Sequence, residues 1–401
     1  MNLSQMNIES NKDSGKTKLT SIFVFIMLLV IVIGVAFFVY LKSNNIDLRN
    51  VSVKELFTSM LDSKEQKLTG NVWEMKSDPK EQPNFAVYGD YLIKCTKDRI
   101  EFYDKEARPV WDKSLQINNP VPKVSGNELL IADYGGRELY VFKDKDIKWY
   151  KKTEGNIIHA DISVGGYVSV IHESKGYKGT VTVLNLQGNP FFTRNIAESY
   201  LIDAKVSPTG KNVMMNILDA SGVQANLQLE LTDMLGKPSF EKKLFENTIF
   251  TSTAFLGNDT VVLSSDSSVV CIDKDGKTKW SKDFENGKLY SMDTAMDKLV
   301  ILAVSDDEKS GLLQSNDSEV RILNSNGNQT ASYKLEGQVK NTTVFDDVIA
   351  VNNGREIHFV NTRGKLITKY ASKTEITNIY FFNRQQAVAV TKSGVCMIEV
   401  K

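Results

Sequence analysis

Three patterns of apolar and polar positions divide the chain. Residues 19–41 run for 23 positions without a charge, most of them Ile, Val, Phe and Leu, which is enough for a helix to cross about 30 Å of hydrocarbon. The pattern predicts a transmembrane helix. The run exceeds the roughly 7–15 residues of a signal-peptide apolar region, and no small-residue cleavage site follows it in Tyr40, Leu41, Lys42 and Ser43, so the span is read as uncleaved. Lys12, Lys16 and Lys18 precede it more tightly than Lys42, Arg49 and Lys54 follow it. The basic cluster makes residues 1–18 a cytoplasmic tail and places the large domain outside the cytoplasmic membrane.

Residues 42–70 form a linker. Within it Val53, Leu56, Phe57, Met60 and Leu61 recur at helical spacing, and Ser52 with Glu55 forms a capping pair, which predicts a short amphipathic helix over 51–67. Its apolar stripe is suited to dock on the following domain, the leading reading, or on a partner or the bilayer surface.

From residue 71 to 401 the helical period is gone. Short runs of β-branched and aromatic residues alternate with Asn, Asp and Gly, the pattern of strands and turns. One turn recurs, written as Asp or Asn, two residues, then Gly: Asn185/Gly188, Asp233/Gly236, Asp273/Gly276, Asn324/Gly327 and Asn361/Gly364. Degenerate copies stand at Asp104 and Asp144, and Glu399 ends the chain at an equivalent place, so the spacing runs from 37 to 51 residues. That is the range of four-stranded propeller blades. The side chain of an Asx residue can bond its own backbone two residues on, while Gly takes the positive φ that reverses the chain; the motif is read as the hairpin between the third and fourth strands of a blade.

Seven residues after the Asx comes an aromatic, at Trp111, Phe192, Phe240 and Trp280, with Tyr333 and Tyr370 displaced by two and Trp149 following a shorter turn. The fourth Trp, Trp73, lies in a similar segment with no repeat before it, while the last repeat supplies only three strands. Pairing the two closes an all-β, eight-bladed β-propeller with one N-terminal transmembrane helix and no open sheet edge. Seven blades is the rival count, if the Asn185 to Asp233 or the Asp273 to Asn324 interval hides a different division.

Charge and composition narrow the function. With 49 Lys+Arg against 49 Asp+Glu the formal net charge is zero, so the chain has no basic footprint for nucleic acid and no acidic excess for a cationic partner. A 41% hydrophobic content and only eight Pro describe a folded core. Three Cys cannot build a disulfide framework.

The segment from Cys271 to Trp280, reading Cys-Ile-Asp-Lys-Asp-Gly-Lys-Thr-Lys-Trp, resembles the Asp-turn-Gly-Trp repeat of quinoprotein-like β-propellers, and the repeat pattern extends from Val72 to Lys401. Dehydrogenases of that family usually carry a Thr-Gly turn one residue longer, which is missing here. Together with the apolar span, the whole is similar to single-span, membrane-anchored propeller proteins of Gram-positive bacteria, a likeness that implies no activity. The dehydrogenases also imply adjacent cysteines and a calcium site of acid and amide ligands. No two Cys are adjacent; Cys95, Cys271 and Cys396 read as buried apolar thiols. His159, His172 and His358 lack the spacing of a zinc site. The Gly-Lys-Thr triplets at Gly15 and Gly276 imitate a phosphate loop, but Ser10 and Cys271 stand where its first Gly belongs. Asp273 and Asp275 are accounted for by the hairpin. No catalytic residue, cofactor or metal is therefore expected.

What remains is surface. Antiparallel strands put all second-to-third connections of a propeller on one face and the Asx-Gly turns on the other. Three such connections read as long, at 173–179, 219–225 and 305–318, and insertions confined to one face of a repeat array commonly serve binding. Lys175, Tyr177, Lys178, Gly222, Leu312 and Leu313 are the candidate partner-binding residues. The leading expectation is a non-catalytic, membrane-tethered scaffold or sensor that meets a protein partner at the cell envelope. The alternatives are an enzyme using the central channel, signalled by carboxylates converging there with His or Arg, and a module binding cell-wall glycan.

Overall fold

The structure is a computed structural model that describes Met27 and residues 69–78, 80–240, 242–284, 287–306 and 317–401. The expected membrane span, Met27 apart, and the linker helix lie outside the described residues. No helix among the described residues is long and apolar enough to cross a membrane.

The described strands form eight four-stranded antiparallel sheets. Blades 1 to 7 each take four consecutive strands and cover residues 84–114, 120–152, 157–196, 200–246, 252–283, 287–335 and 341–371. Blade 8 joins the three strands of residues 376–399 to Asn71–Lys76, which pairs antiparallel with Gly394–Glu399. The closure is the one predicted from Trp73, and it excludes the seven-blade count. Thr69 tightens the seam, its hydroxyl donating to the Glu399 carbonyl at 2.8 Å and its N–H to that of Lys369 at 2.8 Å.

Eight apolar clusters hold the ring, one at each interface between neighbouring blades. In the third strand of blade 5, Val269 and Cys271 pack toward blade 6, while Val270 and Ile272 pack toward blade 4. Strands buried on both faces read as continuous apolar runs rather than as alternation. Cys95, Cys271 and Cys396 are buried and free, and burial pushes all three thiols up.

The recurring turn has the expected geometry. At Asp273 the carboxylate accepts from the N–H groups of Asp275 at 3.0 Å and Lys277 at 2.9 Å, and Gly276 takes φ +78°. The outer-strand aromatic of one blade packs under the turn of the next. A Cβ on Gly188 would meet Trp149 at 2.7 Å, and one on Gly327 would meet Trp280 at 2.6 Å. Trp280 Nε1 donates to the Ser325 carbonyl, and Trp73 Nε1 makes the same rung to Lys105 at the ring closure.

Two expectations are corrected. The stretch 173–179 is no long loop: its strands run through Val168–Ser174 and Tyr177–Leu184 and leave a two-residue turn at Lys175 and Gly176. Polar strand ends facing solvent imitate a loop in sequence. The repeat puts the aromatic after each turn in the fourth strand, yet Phe240 lies before that strand in blade 4, which is only Lys243–Glu246; the ring still reaches Gly276, at 2.7 Å from a Cβ built there.

Candidate functional site

Tyr177, at 43% exposure, and Lys178 stand at the start of the third strand of blade 3, beside the turn holding Lys175. Lys178 Nζ donates to the Glu198 carbonyl at 2.7 Å and lies 4.7 Å from the centroid of the exposed Tyr200 ring, which opens blade 4. Gly222 sits in the connection 220–225 next to the fully exposed Val223. Tyr177, Tyr200, Val223 and Ile249 are thus exposed apolar residues of blades 3 and 4 and the connection to blade 5, on the face of the second-to-third connections. Leu312 and Leu313 lie outside the described residues.

A second constellation lines the channel, where none was assigned from sequence. The inner strands of blades 3, 4, 6 and 8 each carry a β-bulge, with Ile158, Ile202, Tyr290 and Thr377 as the extra residues. A bulge re-aims the side chains that follow it. After three of the four come His159 and Asp161, Asp203 and Lys205, and Ser291 and Asp293; the unbulged strand Pro120–Ser125 of blade 2 adds Lys123.

Lys123 Nζ lies 3.1 Å from His159 Nε2 and 3.3 Å from Asp161 Oδ1, and Lys205 Nζ lies 3.8 Å from Asp161 Oδ2. An ammonium can only donate, so His159 Nε2 accepts and the ring proton sits on Nδ1, 3.7 Å from Asp203 Oδ1. That separation is too long for a hydrogen bond, and both atoms are buried without a hydrogen-bond partner among the described residues. Asp203 Oδ2 accepts from the Thr253 hydroxyl of blade 5. Asp293 Oδ1 accepts from the Thr294 N–H at 2.8 Å and Oδ2 from the Val344 N–H of blade 7 at 3.1 Å.

Burial and then the Lys123 charge lower the His159 pKa, keeping the ring neutral near pH 7. Burial pulls Lys205 down, but Asp161, Asp203 and Asp293 outweigh it and raise the ammonium. Asp293 is pushed up to about 6 by burial, against its two N–H bonds and Lys205. Among the described residues no group of three or more His, Cys, Asp or Glu is arranged to hold a metal ion.

The signal for this cluster was present in the sequence as charges inside strand-like runs. Yet a one-residue bulge moves the following side chains to the other face, so simple alternation misassigns them.

Fold and channel together define an eight-bladed β-propeller with a charged inner wall. The chain belongs to the family of unknown function DUF5711, whose model matches residues 64–400. No curated protein matches the sequence. Among solved structures it is similar to BamB from Moraxella catarrhalis, at 16% identity and TM-score 0.52 over 83% of this chain and 100% of that one. It is also similar to Chaetomium thermophilum Sqt1 bound to the N-terminus of the ribosomal protein L10, at 9% identity and TM-score 0.56 over 83% and 100%. A third similar structure is the dihydro-heme d1 dehydrogenase NirN in complex with DHE, at 11% identity and TM-score 0.52 over 85% and 79%. These likenesses establish the fold.

Proposed function

We propose that the protein is a propeller tethered to the outer side of the cytoplasmic membrane by residues 19–41, and that it serves there as a non-catalytic scaffold or sensor for an envelope protein. The observation that carries the docking surface is the group of exposed apolar residues Tyr177, Tyr200, Val223 and Ile249 on one face; exposed aromatics such as Tyr177 and Tyr200 are enriched in protein-binding patches. Sqt1, a similar propeller, is described as bound to a segment of another protein. That supports a protein partner in kind only.

The channel gives the enzyme reading its own observation, since carboxylates do converge there with a histidine. The bonding favours binding over catalysis. A general base needs a free lone pair within reach of its proton, and His159 Nε2 already accepts from Lys123. Among the described residues the ring is bonded by Lys123 and by no Ser, Thr or Cys of the kind that a nucleophile-activating histidine holds.

The test compares the two faces in intact cells. A photo-crosslinking residue at Val223 is expected to give a discrete adduct that weakens with Tyr177→Ala and Tyr200→Ala, while one at the equally exposed Leu235, in the Asp233 turn on the opposite face, gives none. Adducts from Leu235 alone would overturn the assignment of the face.

A further inference from the structure

We propose that the channel wall formed by blades 2 to 6 binds a small molecule through its primary ammonium group. This is a site distinct from the docking face, and its test does not depend on that face.

Charge comes first. The eight inner strands carry six charged residues, and five of them, Lys123, Asp161, Asp203, Lys205 and Asp293, join the cluster; the sixth, Lys288, is exposed near the start of its strand. With His159 neutral, three carboxylates face two ammonium groups, leaving one negative charge in excess. The pairing is also uneven. Both lysines lean on Asp161, and the ion pairs among the described residues give Asp203 and Asp293 no lysine or arginine within 4.0 Å.

Hydrogen bonding points to the same place independently. Asn216, wholly buried in the second strand of blade 4, is the cross-strand partner of Asp203, so the two side chains rise from one face of the sheet. Neither the oxygen nor the nitrogen of its amide has a partner among the described residues, and neither does Asp203 Oδ1. Buried polar groups are nearly always bonded. Two unbonded acceptors, Asp203 Oδ1 and Asn216 Oδ1, therefore stand with two unbonded donors, Asn216 Nδ2 and His159 Nδ1, beside a surplus carboxylate charge.

An –NH3⁺ group answers the surplus charge and the unbonded acceptors, because it carries one positive charge and three donors. The Asp203 side chain is 19% exposed and that of Asp161 22%, so a ligand in the channel can reach the edge of both carboxylates, while Asp203 Oδ1 and the Asn216 amide are buried. An anion would meet Lys123 and Lys205 only by breaking their contacts with Asp161 and by approaching Asp203 and Asp293.

The test titrates the full-length protein in detergent at pH 7.5 with ethanolammonium chloride, followed by calorimetry and by ligand-observed NMR. Saturable one-to-one binding of ethanolammonium is expected, with none of ethylene glycol, sodium acetate or tetramethylammonium, which lack the charge, reverse it, or keep it without donors. Asp203→Asn is expected to weaken binding by at least about tenfold, and Asp293→Asn less. Thermal melts of the variants report whether they fold; should Asp203→Asn not fold, Asp161→Asn takes its place. The proposal is overturned if ethanolammonium shows no saturable binding up to about 10 mM, if acetate binds instead, or if folded Asp203→Asn and Asp161→Asn bind as well as the parent.

Discussion

Gly327 answers two constraints at once. Its φ of +78° is one that L side chains adopt at a cost of about 1–2 kcal/mol, and Trp280 of the preceding blade lies 2.6 Å from where a Cβ would stand. Gly327→Ala is therefore expected to lower stability by about 2–4 kcal/mol, the backbone cost added to that of an overpacked contact, as read from the denaturant midpoint. Ala107 fills the same place in the Asp104 turn at φ +60°, and its N–H still donates to the Asp104 carbonyl at 3.0 Å. Ala107→Gly should stabilise by up to about 1 kcal/mol, because it relieves the left-handed strain with nothing to repack. Asp293 offers a pH test. Its folded pKa of about 6 lies above the roughly 3.9 of an unfolded aspartate, so the folded state holds the proton more tightly. Its contribution is complete below about pH 4 and is lost as pH rises through about 6. The stability of the parent relative to Asp293→Asn should accordingly fall across that window; an unchanged difference from pH 4 to 7 would place Asp293 in a wetter environment.

At the scale of elements, the ring is closed where its two ends meet. The strand Asn71–Lys76 is bonded along one edge only, to Gly394–Glu399, and Trp73 is half-buried against the Lys105 turn. Gly394, at φ +146°, brings the Met75 carbonyl oxygen to 2.1 Å from a built Cβ. Any side chain there pushes the closing strand away. Gly394→Ala and deletion of residues 71–77 are each expected to reduce stability, and combining them should add little, since both remove the same pairing. Trp73→Ala alone should cost less than the about 3–5 kcal/mol of a fully buried Trp. Full additivity of Gly394→Ala and the deletion would mean that Gly394 acts somewhere other than at this seam.

For the whole molecule, placement follows from the apolar run. A 23-residue uncharged run is long enough to span hydrocarbon without a partner, so the protein should stay with membranes through an alkaline carbonate wash. Recovery in the soluble fraction at a mass lacking residues 1–41 would identify a cleaved leader instead. The propeller itself needs no membrane for its stability, because each of its eight interfaces is closed by an apolar cluster; the domain of residues 69–401, expressed without the span, is expected to melt cooperatively.

The sequence by itself determined the architecture, because the features that encode it are local. Strand-length apolar runs recur in every blade, Asx-x-x-Gly turns in five of the eight with an aromatic seven or nine residues after the Asx, and the unpaired Trp73 segment disclosed how the ring closes. Local signals failed where strand ends are polar, as at 173–179, and where a fourth strand is short, as after Phe240. The charged channel was decided only by tertiary structure. Lys123, His159, Asp161, Asp203, Lys205 and Asp293 come from four inner strands, up to 170 positions apart in the chain. Their meeting depends on which inner-strand side chains turn into the channel, set by bulges that shift the register by one residue, and the bulges leave no periodic trace in sequence. Asn216 shows the limit most sharply. In sequence it is one polar residue in an apolar strand, and only the pairing with Asp203 places its unbonded amide beside the cluster.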